Sequence, residues 1–438
     1  MIDFIYSLKK QNAHNYLLLA LAFFLTTSIY LTDVIIVLLV IFWLISGDLK
    51  KKISIIFSQP VVAGSVCFFI YFLSSYLWSD SSILNPITKK QLLILLLPML
   101  YTSNFDKKYI DKAKYAFIFG LILNILLSII TLYIPSNPFF KKGHYESNLF
   151  LHGFLDHFDY SIFLCFGIFI LFSFLEKKKF SIYFILMIVF FIALLNSYGR
   201  IGIISFFIFF PIIMMLFKQG RIKYYILIIP IVFGLISYYL FPPFHDRVDQ
   251  TVNSLKLLSS EMSLIEKVED DAAYLASKND SLSSEYFRKE IMKNEEWLQV
   301  IKDKEPKYET SIGKRYLYAK NSIYLIKEKP FFGFGSNQFD KVYKEYFSDK
   351  KTVKHPHNNF LFILVELGLC GLIILFYIFY SQLKLFLMAK DKTILQLIFP
   401  IYFLWIMLFD NYFLNHNTLV FFCLFSFLIY YPKSIKLD

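Results

Sequence analysis

The sequence predicts an all-α polytopic membrane protein, with about twelve transmembrane helices and one large, partly helical extramembrane loop. Three observations lead there. The 438 residues are 57% hydrophobic and 18% charged, whereas soluble globular domains run at about 45–50% apolar and about 25% charged. Apolar runs of membrane-spanning length recur along the chain, separated by short Lys-rich breaks. These runs, such as residues 92–100 and 421–430, are apolar on nearly every side. That excludes an outer-membrane barrel, whose segments of about ten residues alternate in polarity.

The expected spans occupy residues 16–31, 33–48, 60–78, 91–103, 115–134, 158–175, 180–196, 201–217, 224–241, 358–383, 394–409 and 417–432. The first begins at Tyr16 and continues into the second without an A-x-A-like cleavage site, so it is expected to be a retained span rather than a signal peptide. An even number of spans puts both termini on one side, and the lysines choose which. The termini and one alternate set of loops carry 20 Lys and Arg, among them Lys50, Lys51, Lys52, Lys107, Lys108, Lys177, Lys178, Lys179 and Lys384. The short loops of the other set carry 5, namely Lys89, Lys90, Lys141, Lys142 and Arg200. The remaining 20 lie in the long loop near 242–356, and long loops do not obey the rule. Both termini are therefore expected in the cytoplasm and the long loop outside. The domain organisation that follows is 1–241 transmembrane, 242–357 outer loop and 358–438 transmembrane.

The outer loop balances 20 basic against 19 acidic residues. Leu255, Leu258, Met262, Ile265, Ala272 and Leu275 recur at helical spacing, as do Phe287, Ile291, Leu298 and Ile301, which predicts at least two amphipathic helices. The net charge of +12 sits largely beside apolar spans, where lysines meet anionic head groups, and nucleic acid is not an expected partner. Cys67, Cys165, Cys370 and Cys423 lie within apolar runs, with neither disulfide nor zinc spacing, and read as packing residues.

The polar residues of the outer face are the candidates for chemistry. Only 5 of the 45 basic residues are arginine, and arginine offers a planar fork that grips phosphate through two bonds. Arg200, in Asn196-Ser197-Tyr198-Gly199-Arg200, stands at an outward junction between spans; it suits either phosphate binding or an interfacial anchor. Arg315, in Gly313-Lys314-Arg315-Tyr316, suits either phosphate binding or a solvated helix face. His357, in His355-Pro356-His357-Asn358-Asn359, is placed for general-base work at the boundary. The same stretch also reads as a helix start, with Asn358 or Asn359 as N-cap of a span beginning near Phe360. His152, Asp156, His157 and Asp159 read as hydrogen-bonded interfacial groups or a substrate-facing rim rather than metal ligands, because histidines five apart do not share a helical face. Glu366 falls inside a span, so it is expected to be protonated, paired or facing a wet cavity. Gly333-Phe334-Gly335 lacks the rest of a dinucleotide fingerprint and reads as a turn returning the loop to the bilayer.

Together these pieces resemble the O-antigen ligase and polymerase superfamily of bacterial inner-membrane glycosyltransferases. Its ligases carry His followed by Asn, Ser or Gln, then nine residues, then Gly-x-x-Gly. Here His357-Asn358 is followed by nine residues and Gly368-Leu369-Cys370-Gly371. The segment from Arg315 to Pro330-Phe331-Phe332-Gly333-Phe334-Gly335 looks like the family's outer-loop pattern, and Tyr198-Gly199-Arg200-Ile201-Gly202 resembles its turn between spans. Two departures stand out: Leu372-Ile373 replaces the Thr-Pro common after the second glycine, and residues 250–310 look like an additional helical insertion.

The resemblance implies a GT-C-like glycosyltransferase of the inner membrane with its active site on the periplasmic face. It implies a glycan on undecaprenyl diphosphate as donor and a lipid A-core sugar hydroxyl as acceptor. His357 would be the base, Arg200 and Arg315 the diphosphate grip, and no metal or other cofactor is expected. A polymerase of the same superfamily, or a protein O-glycosylating relative, would use the same donor with another acceptor. A secondary transporter is the rival from another class. It would more typically show repeated halves and midplane charges, for which the first 150 residues offer no counterpart.

Overall fold

In the computed structural model, residues 2–133, 155–175, 182–217, 222–278, 308, 310–347 and 353–431 are described. Among them every regular element is helical. The chain divides into two units, the first made of Met1–His245 and Ser322–Asp438, the second of Asp246–Asn321.

The first unit begins with α1 (Ile2–Phe24), α2 (Ile29–Ile45), α3 (Leu49–Ser58) and α4 (Pro60–Ser74). The expected first span, 16–31, is interrupted: α1 ends at Phe24 and a turn over 25–28 precedes α2. Its cause is a run of hydroxyls. Thr26 Oγ1 donates back to the Phe23 carbonyl at 2.8 Å, and the Ser28 side chain caps α2 by accepting from Leu31 N–H at 3.3 Å. The buried Asn124 donates to the Thr26 carbonyl at 2.6 Å and satisfies the broken ladder. Between α2 and α3 the chain bends by 116° at Gly47 and Asp48, both with positive φ. Lys52 then folds back over the Trp43 ring.

The expected span 91–103 is also broken. It is covered by α5 (Pro86–Gln91), a 3-10 turn (Leu92–Leu95) and α6 (Leu96–Thr102). Then come α7 (Lys107–Tyr133), α8 (His157–Leu175), α9 (Ile182–Leu195), α10 (Arg200–Phe217) and α11 (Ile222–Leu240). Past the second unit the chain returns through α14 (Phe339–Phe347), α15 (Asn359–Met388), α16 (Ile394–Ile406) and α17 (His416–Tyr430). By length and hydropathy, four of the described helices can cross a membrane alone, or five if the bent α2–α3 pair is one span; six more are apolar but shorter.

The core is aromatic. Phe166 of α8, Phe399 of α16 and Phe421, Phe422 and Phe425 of α17 are fully buried, with rings such as Phe166–Phe425 at 5.0 Å. In contrast, Val34, Val37, Ile41 and Leu44 leave an apolar stripe of α2 exposed, as a lipid-facing surface requires. Lipid tails are themselves apolar, so what holds these helices together is close ring packing more than removal of water.

α15 is one helix interrupted at Gly368, where φ is 64° and ψ −166°. This conformation is essentially reserved for glycine. The turn at 330–335 docks into the break: Leu369 N–H donates to the Pro330 carbonyl, Cys370 N–H to Phe331, Phe334 N–H to Val365, and Gly335 N–H to Glu366, at 2.8–3.2 Å. A Cβ on Gly368 would lie 2.3 Å from the Phe331 carbonyl oxygen, and one on Gly333 2.5 Å from the Glu366 backbone. Two separate glycine motifs thus serve one backbone-to-backbone junction. Glu366 is buried beside it and accepts from Phe339 N–H at 3.2 Å, with the N–H groups of Asn337 and Gln338 also directed at its carboxylate. The start of α14 supplies this buried acid with its partners.

The second unit holds most of α12 (Pro242–Lys278) and the start of α13 (Ser311–Glu328). Leu255, Leu258 and Met262 lie on α12. The second expected amphipathic stretch, Phe287 to Ile301, lies outside the described residues.

Candidate active site

His357 stands at the mouth of α15. Asn358 caps the helix, its side-chain oxygen accepting from Phe360 N–H at 2.9 Å and Leu361 N–H at 3.1 Å. Both asparagines also hold the connection between α16 and α17. Asn358 Nδ2 donates to the Leu408 carbonyl at 3.1 Å, Asn359 N–H to Met407 at 2.9 Å, and Phe413 N–H to Asn359 Oδ1 at 2.9 Å. That connection carries Asp410. His357 Nδ1 lies 3.3 Å from Asp410 Oδ2, and His355 Nδ1 lies 3.8 Å from Oδ1. Asn411 N–H fixes the same carboxylate at 2.7 Å.

His357 adopts φ of 54°, the left-handed region that non-glycine residues visit at a cost. The neighbouring caps hold it there. Burial works against ionisation of Asp410, yet the His357 hydrogen bond and the two imidazoles together keep its carboxyl below the usual carboxylate range. With a proton on Nδ1, His357 donates to Asp410 and its Nε2 is the acceptor nitrogen. The histidine side chain is 34% exposed and Asp410 11%. The carboxylate is thus the buried member of the pair and the histidine the more exposed one.

Arg200 begins α10 and is half-buried. Its turn, with Tyr198 at φ 61°, is pressed onto the first turn of α8: a Cβ on Gly199 would lie 2.2 Å from Ser161 Cβ, and one on Gly202 2.3 Å from the Ser161 carbonyl oxygen. That turn of α8 carries Asp159, which accepts from Asn417 Nδ2 at 2.8 Å at the start of α17. Asp410 acts electrostatically on Asp159. The turn of Arg200, the first turn of α8 and the Asp410 connection therefore gather at one end of the first unit. Arg315 is half-buried on α13 and belongs to the second unit.

Of the expected interfacial cluster, Asp156 sits 3.2 Å from His157 Nδ1, and Asp159 is hydrogen-bonded as above. His152 lies outside the described residues. Asp410 was not legible: it lies in an apolar stretch far along the chain from His357, and its one signal is that it is an acid between two spans. His416, 2.5 Å from Asp33 and 3.0 Å from Asn417, was missed for the same reason.

Among the described residues these features fit an all-helical, multi-pass membrane protein with a histidine–carboxylate pair where α15 begins. The family model described as O-antigen ligase matches residues 182–376, a stretch that contains Arg200, Arg315, His357 and the Gly368–Gly371 motif. Over that stretch the chain is similar to the O-antigen ligase family. No curated protein is significantly similar to the chain.

Proposed function

We propose that this chain is an O-antigen ligase. It moves a glycan from undecaprenyl diphosphate to a sugar hydroxyl of the lipid A core, on the periplasmic face of the bacterial inner membrane. The observation that carries this reading is His357: it lies within the stretch similar to the O-antigen ligase family and has a buried carboxylate 3.3 Å from Nδ1. In the proposed topology the chain has twelve spans in a GT-C-like arrangement. Both termini are cytoplasmic and the loop 242–357 is outside, as the lysine distribution suggests.

The transfer is a single displacement. The acceptor oxygen forms a bond to the anomeric carbon as its proton passes to His357 Nε2. The bond from that carbon to the diphosphate oxygen breaks, and undecaprenyl diphosphate leaves with the electron pair. Attack opposite the leaving group inverts the anomeric centre. Charge grows on the diphosphate in the transition state, so preorganised cations lower the barrier there. Arg200 and Arg315 supply that grip through bidentate contacts. Asp410 orients His357 and stabilises the imidazolium that forms. Cleavage of the lipid diphosphate bond supplies the driving force, so neither ATP nor a metal is required.

The test is transfer by the purified chain in nanodiscs, given lipid-linked glycan and lipid A core. Formation of glycan-bearing core with the anomeric configuration inverted is expected. Elongation of lipid-linked glycan without core modification would instead identify the superfamily's polymerase, the rival that Leu372-Ile373 in place of Thr-Pro keeps open.

A further inference from the structure

We propose that His355, His357 and Asp410 form an inhibitory binding site for a borderline divalent transition-metal cation, Zn2+ above all. The inhibitory part rests on His357 being the base of the transfer; the binding part does not.

The three residues each offer a donor atom, and these atoms all lie within 4.8 Å of one another. Two imidazole nitrogens and one carboxylate oxygen make a donor set suited to Zn2+ and its neighbours, whereas Mg2+ and Ca2+ prefer oxygen alone. The single Pro356 between the histidines stiffens the loop, and their rings meet edge to face with centroids 4.4 Å apart. His357 Nδ1 lies 3.3 Å and His355 Nδ1 3.8 Å from Asp410, and His355 Nδ1 also accepts from His357 N–H at 3.4 Å. Ligands about 2.0–2.1 Å from one tetrahedral ion lie roughly 3.4 Å apart. Closing this cluster on an ion therefore needs small shifts of two partly exposed rings, with His355 Nδ1 exchanging its long contact to His357 N–H for the ion.

The surroundings suit a metal too. Asn411 N–H holds the Asp410 carboxylate at 2.7 Å, the kind of outer hydrogen bond that steadies a ligating carboxylate. The histidine side chains are 32% and 34% exposed, so the outer face is open and water can complete the coordination. In the proposed transfer His355 acts on Asp410 only through its charge and touches none of the reacting groups. The metal reading gives it one.

Inhibition follows from proton placement. A neutral imidazole carries one proton. With Nδ1 bound to the ion, that proton stands on Nε2, and the nitrogen that must accept the acceptor's proton is already occupied. The ion also takes the carboxylate that orients the ring.

The experiment is calorimetric titration of the full-length, tag-free protein in detergent with ZnCl2, beside a transfer assay with and without Zn2+. One saturable site per chain is expected, weakened about tenfold or more in His355→Ala, with no matching site for MgCl2. His355→Gln is a second variant, and size-exclusion profiles report folding for both. Zn2+ should inhibit the unmodified protein reversibly with EDTA, while His355→Ala, measured against its own Zn2+-free rate, needs about tenfold more Zn2+ for the same fractional inhibition. No saturable site, or binding unchanged in both His355 variants, overturns the proposal, and so does His355-dependent binding without inhibition. If no transfer is found at all but binding still depends on His355, the site stands and the transferase reading falls.

Discussion

Two of the histidine–carboxylate pairings in the first unit, His357–Asp410 and His157–Asp156, differ in burial rather than in distance. His357 and Asp410 are 3.3 Å apart, His157 and Asp156 3.2 Å. Asp410 is 11% exposed, anchored by a backbone N–H and approached by two imidazoles, whereas Asp156 is 61% exposed and Asp33, the partner of His416, 52%. Water screens the exposed pairs, and such contacts contribute little. A buried acid cannot swing away from its histidine, so it fixes which nitrogen carries the proton. Proximity of an imidazole to a carboxylate is therefore a weak sign of chemistry; a buried and independently held carboxylate is a stronger one.

The comparison can be broken by mutation. His357→Ala should lower transfer by about a thousandfold, within the usual worth of general-base catalysis, with expression and size-exclusion profile unchanged; near-normal turnover would remove it as base. Asp410→Asn should cost about a hundredfold in kcat with little change in KM, because the amide keeps the shape but not the charge; a pure KM effect would make Asp410 a substrate contact. Arg200→Lys and Arg315→Lys should each lose about ten- to a hundredfold, since lysine keeps the charge but not the fork. Full activity in either replacement counts against a diphosphate grip by that residue.

The smaller effects sharpen the picture. Gly368→Ala forces a side chain into a glycine-only conformation against the Phe331 carbonyl and should cost about 2 kcal/mol or more of stability, read as a lower unfolding temperature in detergent. An unchanged midpoint would mean that the junction between the 330–335 turn and α15 is dispensable. Asp156→Asn should change transfer by less than about twofold, as expected for an exposed pair. A large loss there would erase the distinction drawn between the two pairings.

Much of this was legible in the sequence because it is local. Apolar runs gave the helical membrane class, and the Asn after His357 gave the cap of α15. The spacing from His357 to Gly368 and Gly371 pointed to the family, and Gly333-Phe334-Gly335 was readable as a turn. What escaped depends on contacts far apart in the chain. Asp410 meets His357 only because Asn358 and Asn359 hold the α16–α17 connection in place. Glu366 was recognisable as an expensive charge, but its partners, the N–H groups opening α14, were not. The breaks at 25–28 and 92–95 escaped too, because hydropathy sees the apolar side chains and not the hydroxyl or 3-10 turn that redirects the backbone.

The most direct measurement is a lipopolysaccharide gel from cells lacking the protein, complemented with the unmodified chain or with His357→Ala, and with lipid-linked glycan assayed in parallel. Core without O-antigen and accumulated long lipid-linked chains are expected in the deletion and the His357→Ala strain, both reversed by the unmodified chain. Core bearing a single repeat unit would assign polymerisation instead, and an unchanged pattern in the deletion would contradict the ligase reading.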